Sequence, residues 1–318
     1  MTDIVITYLN SKRNKWVKSY NSYKEKELKT GAADISNRQA FGAERFRDWN
    51  NLHYWFRGVE NCCPWVNKVF LVVQSKDQLP SWLNLKNPKL RVVTHDEFIP
   101  KKLLPTFNPF TIELYFHRIK DLGEQYIYCN DDQFFMSPIK ETMFFENGRP
   151  KQPENRFGWE LYRTNSSDGV FYQVLNNNRL LLKDEIKKLY PTKEPWVYGF
   201  THLPYPRLKS FDKQVFDMYG NKFEEGASYS KFRNPHNYCS TIYDDFLKLY
   251  NKTIIDNKMF QKSAFLSIKS TINLDLYKNC DVCCFNDTEQ LDDFESTQRQ
   301  LNNLLNRKFP IKSSFEKK

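Results

Sequence analysis

The stretch QYIYCNDDQFF, residues 125–135, decides how the fold is read. Tyr126, Ile127, Tyr128 and Cys129 are residues that fill a buried strand, and the run stops abruptly at Asn130, Asp131 and Asp132. Adjacent carboxylates repel one another, and a cation relieves that cost. Mg²⁺ takes its oxygens from one or two carboxylates plus phosphates, so an acidic pair closing a buried strand is a candidate for holding a divalent ion on a diphosphate. A solvated turn is the plain alternative, and the apolar flanks weigh against it.

Outward from this stretch, the same kind of run recurs. DIVITYLN (3–10), KVFLVVQ (68–74) and LRVVTHDEF (90–98) are further strand candidates, the first apolar without alternation, as in a parallel sheet covered on both faces. ERFRDWNNLHYWFRGVEN (44–61) carries Trp49, Leu52, Phe56 and Val59 at three- and four-residue steps and predicts an amphipathic helix. Asn108-Pro109 predicts a helix start, with Ile112, Tyr115, Ile119 and Leu122 as its buried stripe. This alternation predicts an α/β fold, a Rossmann-like parallel-sheet catalytic domain whose ligands gather beyond the carboxyl ends of the strands. Asn10, His95-Asp96 and Asn130-Asp131-Asp132 fall at those ends.

Residues 11–43 are polar and Lys-rich and read as an irregular or partly helical, mobile excursion. Residues 137–200 read as an inserted, lid-like helical part of one domain spanning 1–318. THLPYPRLKSF (201–211) is a loop stiffened by two prolines and carries His202. A surface helix with Leu291, Phe294, Leu301 and Leu305 on one side is expected near the end of the chain.

Forty-eight Lys and Arg against 38 Asp and Glu give a net charge of +10, which favours anionic partners. No GxGxxG or Walker-type loop is present, so phosphate chemistry would rest on side chains and metal. The lysines are scattered and no RNA- or DNA-binding signature accompanies them, which argues against a nucleic-acid partner. Seven cysteines without disulfide-framework spacing read as reduced thiols; Cys280-x-x-Cys283 lacks the second pair that a structural zinc needs. With no apolar run of membrane-spanning length and no signal peptide at the start, a cytoplasmic enzyme is expected.

Several residues suit phosphoryl chemistry. Arg45, Arg47, Arg57 and Arg233 offer forked donors for phosphate oxygens. Glu113 and His117, one helical turn apart, could pair. His202, outside any apolar pattern, is a candidate general base.

These residues fall into blocks that resemble the Stealth family of sugar-1-phosphate transferases. That family includes bacterial capsular and cell-wall polysaccharide phosphotransferases and the catalytic subunit of the lysosomal-enzyme N-acetylglucosamine-1-phosphotransferase. The first block is similar to DIVITYLN. The second runs from RFRDWNNLHYWFRGVE through PWVNKVFLVV, RVVTHDEFI and IELYFHRI to YIYCNDDQFF; the third is HLPYPR with KFRNPHNY, and the fourth CCFND (283–287). The chain departs from the family pattern at Asn51-Leu52-His53 and at Pro235-His236.

The resemblance implies a nucleotide-sugar-transferase-like domain that moves a hexose 1-phosphate from a nucleotide diphosphate sugar, UDP-linked by expectation, to a glycan hydroxyl. The acceptor would be a lipid-linked oligosaccharide or polysaccharide, with the basic surface making peripheral contact with the membrane. The expected catalytic set is His202, Asp131, Arg57 and Arg233; the donor-binding set is Asp3, Asn10, Arg45, Asn130 and His117. Asp131, Asp132 and Asp287 are expected to hold Mg²⁺ or Mn²⁺. A metal-dependent glycosyltransferase forming a glycosidic bond is the rival reading.

Overall fold

The computed structural model describes residues 1–164, 169–268, 277, 279–288 and 291–318. Four of the apolar runs become parallel strands: β1 (Thr2–Thr7), β2 (Val69–Val73), β3 (Leu90–Thr94) and β4 (Gln125–Cys129). β5 (Gln133–Phe135) follows directly, then the short strands β6 (Phe145–Glu146), β7 (Arg149–Gln152), β8 (Arg156–Gly158) and β9 (Trp196–Tyr198). β10 (Tyr205–Leu208), β11 (Ile254–Ile255), β12 (Ser263–Ser267) and β13 (Val282–Asn286) complete the described strands. The helices are α1 (Asn14–Thr30), α2 (Arg38–Phe41), α3 (Leu52–Cys62), α4 (Pro109–Glu113), α5 (Val170–Leu189), α6 (Lys209–Ser228), α7 (Thr241–Leu249) and α8 (Phe294–Lys308).

The main sheet runs in the order β10-β4-β1-β2-β3, with β10 antiparallel to β4. From β1 the chain proceeds to β2 and β3 on one side and returns to β4 on the other. The order therefore reverses between β1 and β4, which opens a crevice beyond their carboxyl ends. Each face has its own core. Ile4, Ile6, Leu71, Ile127 and Cys129 pack towards α3 and α8, whereas Val5, Phe70, Val72, Tyr126 and Tyr128 pack towards α5, α6 and α7. Burying each large side chain in these layers contributes about 1.5–3 kcal/mol.

Several expectations need correction. The polar stretch 11–43 contains the 17-residue helix α1, fastened by Trp16 and Tyr20 against Phe46, Phe107 and Phe232. The helix expected over 44–61 begins only at Leu52, because Asn50 takes a left-handed backbone (φ 51°) that an α-helix does not continue. Leu181, Leu182 and Ile186 of α5 are buried in the core shared with α6 and α7, so this part of 137–200 is built into the body of the fold.

Candidate functional site

The turn after β4 is fixed from three sides. Within it, Gln133 donates its backbone N–H to Asn130 O (3.2 Å) and accepts the Asn130 N–H on its Oε1 (3.1 Å). From α3, the Trp55 indole donates to Gln133 O (2.8 Å); Gly58 lets the helix approach, since a Cβ there would stand 2.9 Å from Phe135 O. From β13, Phe285 N–H donates to Asp132 O (2.8 Å). The acidic pair is thus presented by backbone that packing holds in place.

His202 is brought to this turn by β10. Tyr205 and Arg207 pair in register with Tyr128 and Tyr126 of β4, and the Tyr205 hydroxyl donates back to Thr201 O. Beneath it, the fully buried Arg207 donates to Asp244 Oδ2 (2.8 Å) and Ser240 O (2.9 Å), locking β10 onto the start of α7. His202 Nε2 then lies 3.3 Å from Asp132 Oδ2 and 3.3 Å from Asn130 Nδ2. A carboxylate is the stronger acceptor, so in the neutral ring Nε2 carries the proton and Nδ1 keeps its lone pair. Burial opposes charging the ring, but the Asp132 carboxylate outweighs it and raises the pKa above the usual histidine value. Phe265, half exposed, sets its ring edge-on to His202 at 5.6 Å.

Asp132 Oδ1 is buried and bonded by no nitrogen or oxygen donor among the described residues, with the Cys284 thiol the group beside the carboxylate. Asp131 beside it has its pKa raised to about 7 by surrounding protein and by Asp132 and Asp48. Because the residue itself is exposed, solvent tempers the burial effect and the like charges are the cause to weigh. Asp48 accepts from the Tyr8 hydroxyl at the end of β1 (3.2 Å), and Asn10 closes the turn after that strand by accepting the Lys12 N–H (3.2 Å).

Positive charge arrives on the loop between α6 and α7. Buried Asn234 and Asn237 hold that loop through Gly226 O and Asn108. Its Arg233 stacks over Phe110 (4.9 Å), and no hydrogen bond or ion pair to its guanidinium is found among the described residues. Burial, and then the neighbouring Arg45, lower the Arg233 pKa to about 10, against the pull of Glu113. Arg45, exposed and 3.9 Å from Glu44 Oε1, adds to the positive field at Arg233, and such a field suits an anion. Glu113, which accepts from Ser240 (2.5 Å), attracts both Arg233 and His202 electrostatically, and burial raises its own pKa.

The structure sends four expected residues elsewhere. Arg57 makes a two-pronged ion pair with Glu316 (2.7 Å each) and donates to Phe309 O (2.9 Å), so its fork is consumed in fastening the C-terminal segment. Asp3 lies at the amino end of β1 and accepts from Asn67 Nδ2 (2.8 Å), Lys68 N–H (3.2 Å) and Gly123 N–H (2.8 Å). Helix α4 ends at Glu113, so the expected Glu113–His117 pair does not form. His117 is buried against Phe216 (4.6 Å), and burial lowers its pKa to about 4. Asp287 gives its oxygens to Arg47 (3.0 Å) and Trp49 (3.1 Å) rather than joining Asp132.

Sequence reasoning missed Asp48, Tyr8 and Cys284. Cys284 joins Asp132 and His202 in a group whose ligand atoms lie within 4.8 Å of one another. Its thiol, however, is held strongly protonated by burial and by Asp132, and a mixed oxygen, nitrogen and sulfur set is not what Mg²⁺ prefers. The adjacent Asp131 and Asp132 carboxylates, all oxygen, are the better fit for a hard cation.

A mostly parallel sheet with carboxylates and an imidazole at its switch point is an α/β fold with a candidate active site where such folds bind ligands. The profile of Stealth protein CR2, conserved region 2, matches residues 45–152. Capsular polysaccharide phosphotransferase WcwK of Streptococcus pneumoniae is 31% identical, the alignment covering 99% of this chain and 98% of the relative. Receptor polysaccharide phosphotransferase WefC of Streptococcus oralis is also 31% identical with the same coverage. Among solved structures, the galactosyltransferase LgtC bound to donor and acceptor sugar analogs is 10% identical, covers 96% of both chains and superposes with a TM-score of 0.41. The chain belongs to the Stealth family of polysaccharide phosphotransferases.

Proposed function

We propose that the chain transfers a hexose 1-phosphate from a nucleotide diphosphate sugar, UDP-linked, to a hydroxyl of a surface glycan, leaving a phosphodiester and a nucleoside monophosphate. The observation that carries this reading is the Asp132–His202 contact at the carboxyl end of β4, with the Arg233 guanidinium bearing no ion pair among the described residues. The acceptor oxygen attacks the phosphorus next to the sugar, so the anomeric bond stays intact. His202 Nδ1 takes the hydroxyl proton, and Asp132 orients the ring and stabilises its charged form. Arg233 and Arg45 hold the diphosphate oxygens and offset the charge that builds on them. Asp131 and Asp132 hold a divalent cation, Mg²⁺ or Mn²⁺, which when bound supplies further charge neutralisation. Asn10 and Asn130, at the ends of β1 and β4, line the donor side.

The acceptor in this reading is a lipid-linked oligosaccharide or growing polysaccharide at the inner face of the membrane, which the net charge of +10 suits. Among the described residues no helix is long and apolar enough to cross a membrane. The test is a panel of nucleotide sugars supplied with Mg²⁺ and acceptor glycan. Nucleoside monophosphate release together with a phosphodiester resonance in the phosphorus-31 spectrum is expected. A purely glycosidic product with nucleoside diphosphate release would overturn the proposal in favour of glycosyl transfer.

A further inference from the structure

Helix α1 presents a line of lysines that the candidate site does not use. Lys15, Lys18, Lys26 and Lys29, with Ser22 between them, follow one another at three- and four-residue steps and fall within an arc of roughly 80° at 3.6 residues per turn. All four lysines are exposed, and the line runs about 21 Å along the helix. The opposite face is fastened to the fold. Trp16 and Tyr20 pack against Phe46 and Phe107, and Tyr20 also meets Phe232. Glu27, buried on that side, accepts from the Ser230 hydroxyl and from Lys231 N–H (2.7 Å). Beyond the helix, Asn37 Nδ2 donates to Arg233 O (3.1 Å). α1 is therefore fixed to the loop that carries Arg233, with its lysines turned to solvent.

These lysines work against the helix they stand on. None of the four ammonium groups has a hydrogen bond or ion pair among the described residues, and Glu25 is the only exposed carboxylate of α1. Lys15 sits in the first turn, where the helix dipole favours anions and where no acidic residue stands. Lys15 and Lys18, and again Lys26 and Lys29, are neighbours on the helix surface, and like charges so placed repel. An anion outside the fold relieves both costs.

A narrow line of cations along a convex helix meets a plane over its whole length, and several lysines on one amphipathic helix suit an anionic leaflet. Ile35, 60% exposed in the turn that follows α1, adds an apolar side chain that a lipid surface accepts and a charged glycan does not. We propose that the exposed face of α1 docks the protein on an anionic phospholipid surface, with Lys15, Lys18, Lys26 and Lys29 meeting the headgroup phosphates. The purpose of the docking rests on the phosphotransferase reading: a lipid-linked acceptor lies in that surface, and α1 brings the loop of Arg233 to it. The docking itself rests only on the charges.

Co-sedimentation with vesicles of phosphatidylcholine and phosphatidylglycerol, compared with phosphatidylcholine alone, tests the proposal without donor, acceptor or divalent metal. The expected result is binding to the anionic vesicles only. Combining Lys15→Gln, Lys18→Gln, Lys26→Gln and Lys29→Gln should weaken it tenfold or more, on a scale of about fivefold per lysine, at an unchanged melting temperature. The same charge removed from other exposed positions, by Lys86→Gln, Lys120→Gln, Lys222→Gln and Lys312→Gln, should leave most of the binding. Equal loss in the two variants would make attachment a matter of net charge and overturn the proposal. So would a wild type that ignores anionic vesicles, or an α1 variant that binds them undiminished. Binding of a soluble phosphodiester-linked polysaccharide through these lysines, with no vesicle binding, would give the face to a glycan chain and equally overturn it. Vesicle binding by a protein whose transfer product is purely glycosidic would retain the docking face and overturn only the phosphotransferase reading.

Discussion

The two ends of the main sheet both carry carboxylates, and they are built for different purposes. At the amino end, Asp3 has both oxygens occupied by the amides of Asn67, Lys68 and Gly123, so it ties three loops together. At the carboxyl end, Asp132 spends one oxygen on His202 and leaves the other buried with no nitrogen or oxygen donor upon it among the described residues, with Asp131 exposed beside it. The arginines repeat the contrast. Arg57 is saturated by Glu316 and Phe309 O, whereas Arg233 keeps a guanidinium with no anion of the fold upon it among the described residues. A folded chain normally satisfies its buried polar groups, so those left open at one end mark where a ligand is to supply the partners.

Substitutions at the open end should remove chemistry and leave the fold, and substitutions at closed sites should do the reverse. The largest effect is expected at His202. His202→Ala should lower turnover by roughly 10² to 10⁴, the range of a lost acid–base group, with donor affinity and melting temperature retained. Near-normal turnover in that variant removes the histidine from the mechanism.

Arg233→Lys should cost about 3 kcal/mol of transition-state stabilisation, or roughly 10² in rate, because an ammonium cannot reproduce the fork. Steady-state kinetics at saturating donor measures it, and a variant with intact turnover but a lowered melting temperature would make Arg233 a structural residue like Arg57.

Glu316→Gln should leave the turnover of folded protein unchanged while destabilising it by about 3–5 kcal/mol, since a buried guanidinium loses its counter-charge. Burial opposes ionising Glu316, but Arg57 and the Ser313 N–H hold its pKa below the usual carboxylate value. Its stabilisation is therefore complete above the unfolded pKa of roughly 4.3 and is lost as pH falls through the lower folded value. Thermal melts from pH 6 to pH 3 should fall more steeply for the wild type than for Glu316→Gln; parallel curves would contradict the assignment.

Much of the fold was readable because β1, β2, β3 and β4 are continuous apolar runs, a pattern that burial on both faces imposes locally. The turn 130–132, the loop of His202 and the loop of Arg233 could be marked from the sequence because each interrupts or constrains an apolar pattern. What could not be read depended on distant partners. Arg57 meets Glu316 across 259 positions, and nothing near Arg57 distinguishes a fork awaiting phosphate from one already filled. Asp3 stands at the start of β1, so chain direction alone puts it at the amino end of the sheet, away from the crevice where donor-binding residues would gather. The Glu113–His117 pairing assumed a continuous helix, but the chain turns into a 3₁₀ segment at Phe116–Arg118 and sends the two side chains apart. Asp48, Tyr8 and Cys284 have no local signal at all; they join the site only through the meeting of β1, β4 and β13.

The claim that the open end of the sheet is the reaction centre is tested most directly by calorimetric titration of UDP into the protein with and without Mg²⁺, in the wild type and in Asp132→Asn. The account predicts binding to the wild type that weakens at least tenfold when the cation is withheld, and binding to Asp132→Asn that is weak and indifferent to the cation. Equal affinity in all four titrations would contradict it.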